Sequence, residues 1–123
     1  MLRFRSLLVA AVVAGALFAG STQAASSKVT KLYGQAGPGF TITLKTKSFV
    51  PVRSLKPGTY TFVIQDRSTL HNFHLKGPGV NKSTSVGFVG ERLWTVKLKP
   101  GKYSYWCDPH SSMMRGSFRV VAP

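Results

Sequence analysis

Three kinds of metal-ligating side chain lie close together near the C-terminal end of the sequence. Cys107, the single cysteine, is followed by His110 and then by Met113 and Met114. A thiolate, an imidazole and a thioether are ligand types of a mononuclear copper site. Such a site uses a second imidazole, which must come from elsewhere in the chain.

The remaining histidines, His71 and His74, both lie in one short stretch upstream. Because the chain has three histidines in all, one of these two must complete the ligand set. The residue types and the spacing alone leave both open, just as they leave Met113 and Met114 open as the thioether.

Other uses of the thiol are weaker interpretations. A nucleophilic Cys107 with His110 as its base would need an orienting acid, and the nearby sequence offers only Asp108. We therefore expect no catalytic residue and no enzyme activity. Zinc also accepts cysteine and histidine, but copper stands above zinc in the affinity order of divalent ions.

Residues 1–24 have the features of a secretory signal peptide. Arg3 and Arg5 precede an apolar run at 7–18, and Thr22 and Ala24 supply a small-residue cleavage site. The run is shorter than the ~20 apolar residues that span a bilayer. We expect cleavage after Ala24, export to the periplasm or outside the cell, and no stable membrane insertion of the mature domain.

The charge is strongly basic. Seventeen Lys and Arg face three Asp and Glu, a net charge of +14 that becomes +12 when the two arginines of the signal are removed. The electrostatic field of such a positive charge steers encounters with acidic proteins. The basic residues are scattered along the chain, and the protein is expected outside the cytoplasm, so we expect no nucleic acid partner.

The remaining sequence predicts short strands separated by turns. Alternating runs occur at 40–45, 60–65, 94–99, 103–107 and 118–120, and turn dipeptides at Pro38-Gly39, Pro57-Gly58, Pro78-Gly79 and Pro100-Gly101 punctuate them. About seven such strands predict an all-β Greek-key β-sandwich with little helix. We divide the chain into a signal (1–24), a leader with a first short strand (25–39) and a copper domain (40–123).

The C-terminal segment resembles the copper loop of the cupredoxins, the family of plastocyanin, azurin, pseudoazurin and amicyanin. The resemblance rests on the aromatic strand 103–106 ending at Cys107, on Cys107-Asp108-Pro109-His110 and on Met114-Arg115-Gly116. It implies that Cys107 and His110 bind one type 1 copper ion. The Met-x-Gly register implies Met114 as the axial ligand and leaves Met113 packed beside the site. Pro109 is expected to stiffen the loop, and Gly116 to turn the chain into the last strand.

The upstream stretch His71-Asn72-Phe73-His74 is similar to a motif of amicyanin-like cupredoxins. That similarity implies His71 as the second imidazole ligand and Asn72 as a supporting residue that braces the copper loop. His74 is then a surface histidine. Residues 77–82 and the Ser/Thr-rich stretch after them have no clear counterpart in the family pattern.

These features predict a small exported carrier of single electrons that uses the Cu(I)/Cu(II) couple. We expect a monomer that docks transiently on an acidic redox protein, with Met113, Pro109 and Pro78 in the contact patch. The alternative is an extracytoplasmic protein that buffers or delivers copper without carrying electrons.

Overall fold

Nine short β-strands and one turn of 3₁₀ helix make up the regular structure of the computed structural model, which describes residues 10–24 and 27–123. Residues 10–24 lie in no strand or helix, and the predicted signal peptide falls partly on residues 1–9, outside the described residues. The elements are β1 Thr30–Ala36, β2 Ile42–Lys45, β3 Ser54–Leu55, β4 Gly58–Asp66, β5 His74–Gly77, β6 Val80–Ser83, β7 Gly90–Leu98, β8 Gly101–Trp106, the 3₁₀ helix Asp108–His110 and β9 Arg115–Val120.

The strands form two sheets, with the orders β2-β1-β4-β7 and β3-β9-β8-β5-β6. The pairs β1–β4 and β3–β9 are parallel, and the others are antiparallel. This two-sheet sandwich confirms the predicted all-β class. Across the described residues, no helix is both long enough and apolar enough to cross a membrane.

The predicted alternating runs become strands that bury one face. Phe62 and Ile64 of β4 are fully buried, and Val96 and Leu98 of β7 point into the same core. A strand buries alternate residues because successive side chains point to opposite faces of the sheet. β1 lies between β2 and β4 and contributes Leu32, so the sandwich already begins at Thr30.

Aromatic side chains from the second sheet fill the other half of the core. Tyr103 stacks on Phe118 with ring centroids 5.2 Å apart, and Tyr105 stacks on Phe73 at 5.5 Å. The Tyr103 hydroxyl donates to the backbone oxygen of Lys99 and accepts from its N–H, at 2.8 and 2.9 Å. This large, rigid core supports the loops at both ends of the sandwich.

One end of the sandwich gathers the residues with metal-ligating chemistry. β4 ends and β5 begins around the segment 67–73, while β8 ends and β9 begins around the segment 107–114. The register His74↔Trp106 and Trp106↔Arg115 places the two segments side by side. Pro78 lies at the opposite end, against Gly101, so it cannot belong to a contact patch around His110 as the sequence suggested.

Candidate metal centre

Three side-chain donors converge between the two loops. The Nδ1 atoms of His71 and His110 lie 3.1 Å apart, and the Cys107 sulfur lies 3.7 Å from the first and 3.6 Å from the second. Among the described residues, this trio forms a cluster able to hold a metal ion, and His71 and Cys107 are buried within it.

The triangle has the size of a metal site. A point equidistant from the three atoms lies about 2.0 Å from each, close to the ~2.0–2.3 Å bonds that zinc makes to imidazole nitrogen and thiolate sulfur. Two imidazoles and a thiolate in a trigonal arrangement form the donor set of a type 1 copper site. The residues present therefore fit a copper ion.

His71 is held by the loop that follows β1 as well as by its own segment. Its N–H donates to the oxygen of Ser68 at 3.3 Å. Gly37 lies against the ring at a φ of +75°, and a Cβ there would come within 2.9 Å of the His71 Cδ2 atom. A residue with a side chain at position 37 would therefore push the imidazole out of the cluster.

The loop from Cys107 to Met114 is closed by its own backbone. The Cys107 N–H donates to the Met114 oxygen at 3.0 Å, and the His110 and Met114 N–H groups donate to the oxygens of Cys107 and His110 at 3.1 and 2.8 Å. Pro109 lies in the first turn of the 3₁₀ helix, where its fixed φ suits the helix and no N–H is lost. The turn brings the His110 ring back over the Cys107 sulfur.

Met113 and Met114 differ completely in exposure. Met114 is fully buried at the end of the loop, whereas Met113 is 64% exposed. The expectation that Met113 packs beside the site is therefore wrong, because the loop turns its side chain into solvent. Burial favours Met114 as the thioether donor, and its role as a ligand stays a prediction.

His74 lies outside the donor cluster. Its Nδ1 is 3.0 Å from a carboxylate oxygen of Asp108, its Nε2 is 2.6 Å from the side-chain oxygen of Asn81, and its ring packs on Trp106 with centroids 4.3 Å apart. Because both ring nitrogens face these partners, His74 is a half-buried structural histidine.

Asn72 joins the two loops. Its side-chain oxygen accepts the Asp108 N–H at 2.7 Å, and its amide donates to the Asp108 carboxylate at 2.7 Å and to the Thr84 backbone oxygen at 3.2 Å. These bonds act on the residue next to Cys107, and the bracing role that the resemblance implies for Asn72 stays a prediction. Groups that orient the ligands of a metal also tune its properties.

Sequence reasoning missed two residues of the site. Phe40 packs edge-on against the rings of His71 and His110, at 5.4 and 4.9 Å, instead of continuing β2. Asp66, at the end of β4, is buried and accepts hydrogen bonds from the Ser68 N–H and the Thr84 hydroxyl. Burial raises the pKa of the Asp66 carboxyl, although those bonds and the nearby His71 partly oppose the rise.

Comparison with known proteins places these features in context. A family model described as copper binding proteins of the plastocyanin/azurin family matches residues 45–121. Among solved structures, reduced rusticyanin is 20% identical over 78% of this chain and 81% of its own, with a TM-score of 0.57. Reduced auracyanin from Roseiflexus castenholzii is 18% identical over 75% of this chain and 97% of its own, with a TM-score of 0.51. No curated protein matches the chain by sequence.

Proposed function

The chain belongs to the plastocyanin/azurin family of copper-binding proteins, and from this premise we propose that it carries single electrons outside the cytoplasm. The observation that carries the proposal is the convergence of the His71, Cys107 and His110 donors at 3.1–3.7 Å from one another. The His-Cys-His-Met cluster is typical of the type 1 copper sites of electron carriers.

We assign the metal ligands as His71, Cys107 and His110, with the buried Met114 as a weaker fourth donor. Copper bound there supplies a one-electron couple between Cu(I) and Cu(II). The imidazoles suit both oxidation states, and the soft sulfur donors suit the reduced ion.

The chain's contribution to such a role is a rigid donor set. Cys107 and Met114 are joined by a backbone hydrogen bond of 3.0 Å, and Asn72 ties the same loop to the segment that holds His71. Donors fixed in this way need little rearrangement when the charge of the ion changes. Fast electron exchange requires this property.

The surface around His110 suits brief docking. His110 is half-buried, and Phe40, which packs edge-on against both imidazoles, is 57% exposed. Leu70, which precedes His71 in the chain, and Met113, whose N–H donates to the His110 oxygen, are 62% and 64% exposed. A small apolar patch on a strongly basic protein favours a weak, electrostatically steered complex with an acidic redox protein. We propose that the protein docks as a monomer.

Export is part of the same proposal. The basic, then apolar, then small-residue pattern of residues 1–24 supports a cleaved signal. A lone cysteine cannot form an internal disulfide in an oxidising compartment, and a metal-bound thiolate gives Cys107 a use there.

A copper buffer or delivery protein would use the same donors, and the presence of an exposed, exchangeable ligand would favour it. The observation that favours this second function is that His110 is only half-buried. The two functions differ in whether the copper changes oxidation state reversibly while it stays bound.

Stopped-flow electron exchange with an acidic redox protein tests the proposal. We expect rapid, reversible exchange with copper retained, and a rate that falls as ionic strength rises because salt screens the steering field. Met113→Glu should slow the exchange more than Leu93→Glu, which adds the same charge at a 63% exposed position on β7. Copper that is released or fails to cycle would instead support a buffer or delivery protein.

A further inference from the structure

Carboxylates are rare in this chain, and two of the three lie next to the metal centre. The sequence has Asp66, Glu91 and Asp108 against seventeen basic residues. Asp66 lies at the end of β4, behind the segment that holds His71, and Asp108 follows Cys107 directly. The carboxylate of Asp108 has no part in the donor cluster, and its contacts show what it does.

The Asp108 carboxylate is held by three side chains. One oxygen accepts the Trp106 indole N–H at 2.8 Å and lies 3.0 Å from the His74 Nδ1, and the other accepts the Asn72 amide at 2.7 Å. These three contacts hold the carboxylate, and the negative charge of an aspartate side chain with it, in one position beside Cys107.

His74 extends these contacts to the edge of the sheet. Its ring packs on Trp106 at 4.3 Å, and its Nε2 lies 2.6 Å from the Asn81 side-chain oxygen on β6. Asp108, Trp106 and His74 form a group that we call the carboxylate clasp. The clasp joins the turn that follows Cys107 to β5 and, through Asn81, to β6, which begins in the stretch 77–82 that has no clear counterpart in the family pattern.

We propose that Asp108 is a positioning residue of the metal centre, which fixes the turn between Cys107 and His110 through the carboxylate clasp and lowers the reduction potential of copper bound beside it. The proposal rests on the proposed function and names a residue that regulates the same site. The positioning role of Asp108 can be tested without metal, because the contacts of the clasp are made by the polypeptide alone.

The effect on the potential follows from charge. A fixed negative charge near the ion stabilises the more highly charged Cu(II) over Cu(I). Asp108→Asn keeps the shape and an acceptor oxygen but removes the charge, so the potential should rise. The second and separate effect, loss of positioning, should appear when the hydrogen bonds themselves are removed in Asp108→Ala.

Voltammetry of the copper-loaded protein tests the charge effect. We expect Asp108→Asn to raise the potential by the equivalent of a threefold to tenfold change in the Cu(I)/Cu(II) ratio, where tenfold is about 59 mV for one electron. Glu91→Gln is the matched control, because it removes the same charge from an exposed side chain on β7. Equal shifts in the two variants would overturn the proposal.

Copper loss to a chelator tests the positioning effect. Asp108→Ala and His74→Ala should each release copper about tenfold faster, the low end of the range for residues that orient metal ligands. The double variant should be little worse than either, because residues of one network are not additive. Fully additive effects, or no effect, would show that the clasp does not position the ligands.

A metal-free measurement separates this proposal from the proposed function. In ¹⁵N NMR spectra of the copper-free protein, the Trp106 indole N–H should shift and exchange faster with water in Asp108→Ala, while the Trp94 indole N–H stays unchanged. An unchanged Trp106 signal would refute the clasp even if the protein carries electrons. A changed signal in a protein that never cycles copper would refute the electron-carrier role and leave the clasp standing.

Discussion

At the residue scale, His71 and His74 lie only three residues apart in the chain but have different roles. Both are histidines of one short motif, yet the His71 Nδ1 lies 3.7 Å from the Cys107 sulfur while the His74 ring bonds to Asp108 and Asn81. The sequence predicted this difference only through the resemblance, because neither spacing nor composition distinguishes two histidines beside one asparagine.

Alanine variants of these two residues test the assignment. His71→Ala should remove the visible absorption of the copper-loaded protein, because a buried donor of the cluster is lost. His74→Ala should keep a visible band even if copper leaves faster. The two variants are compared by absorption spectra recorded immediately after copper loading. A colourless His74→Ala with a coloured His71→Ala would reverse the assignment of the imidazole ligand.

Met114→Leu tests the role of the second sulfur. Leucine keeps the buried volume but offers no lone pair, and volume-conserving swaps are well tolerated. Copper should stay bound by the other three donors while the potential rises, because Cu(II) loses a donor. Metal analysis and voltammetry measure the two effects. Complete loss of copper would mean that Met114 contributes more to holding the ion than a weak fourth donor would.

The buried Asp66 makes a prediction about pH. Burial raises the pKa of Asp66 in the folded state above the ordinary value of ~3.9, so the folded protein binds this proton more tightly than the unfolded chain. Its ionisation therefore opposes folding, and the loss of stability appears as the pH rises past the ordinary value and is complete above the raised one.

Asp66→Asn removes that titration. Relative to the wild type, the unfolding free energy of the copper-free variant should increase as the pH rises from about 4 through the raised pKa of Asp66. Urea denaturation at several pH values measures the difference, and any constant cost of the substitution cancels from its slope. A difference that decreases with pH would contradict the direction of the shift.

At the scale of elements, apolar alternation was sufficient to predict β4, β7, β8 and β9, and it was weakest for β1. The inward-facing positions of β1 include Gly34 and Ala36, which leave little apolar pattern to read. Gly34 is small for a reason that only the tertiary structure gives, since a Cβ there would lie 2.6 Å from Ile64 and 2.9 Å from Phe73.

The residues around the site show a second kind of feature that could not be predicted from the sequence. Gly116 was expected to turn the chain, but it lies within β9, opposite Tyr105. It is needed because the Tyr105 ring lies directly over it. Phe40 likewise leaves the strand pattern to cover the two imidazoles, and no local signal predicts a contact between residues so distant along the chain.

Gly116→Ala tests this interpretation. A Cβ at this position would collide with the Tyr105 ring, and overpacking of this kind costs about 1–3 kcal/mol. Urea denaturation of the copper-free protein should show that loss of unfolding free energy. Gly39→Ala is the control, because a Cβ there meets nothing within 4 Å. Equal stability of the two variants would mean that Tyr105 moves aside at no cost.

At the scale of the whole molecule, the fold class, the loop that holds the thiolate and the basic charge were all readable from the sequence, because each depends on local pattern or on composition. The identity of a partner was not readable, since fifteen basic residues remain after the predicted cleavage and are scattered over the chain. The sandwich contributes what no local pattern shows, namely the meeting of segments 67–73 and 107–114 at one end.

The visible absorption spectrum of the Cu(II)-loaded protein, with and without Cys107→Ser, tests the central claim most directly. The donors His71, Cys107 and His110 surround one point about 2.0 Å from each, so a copper ion held by them would bond to the thiolate. We expect an intense charge-transfer band that the serine variant lacks. A colourless Cu(II) complex, or the same spectrum in both proteins, would contradict a type 1 copper site.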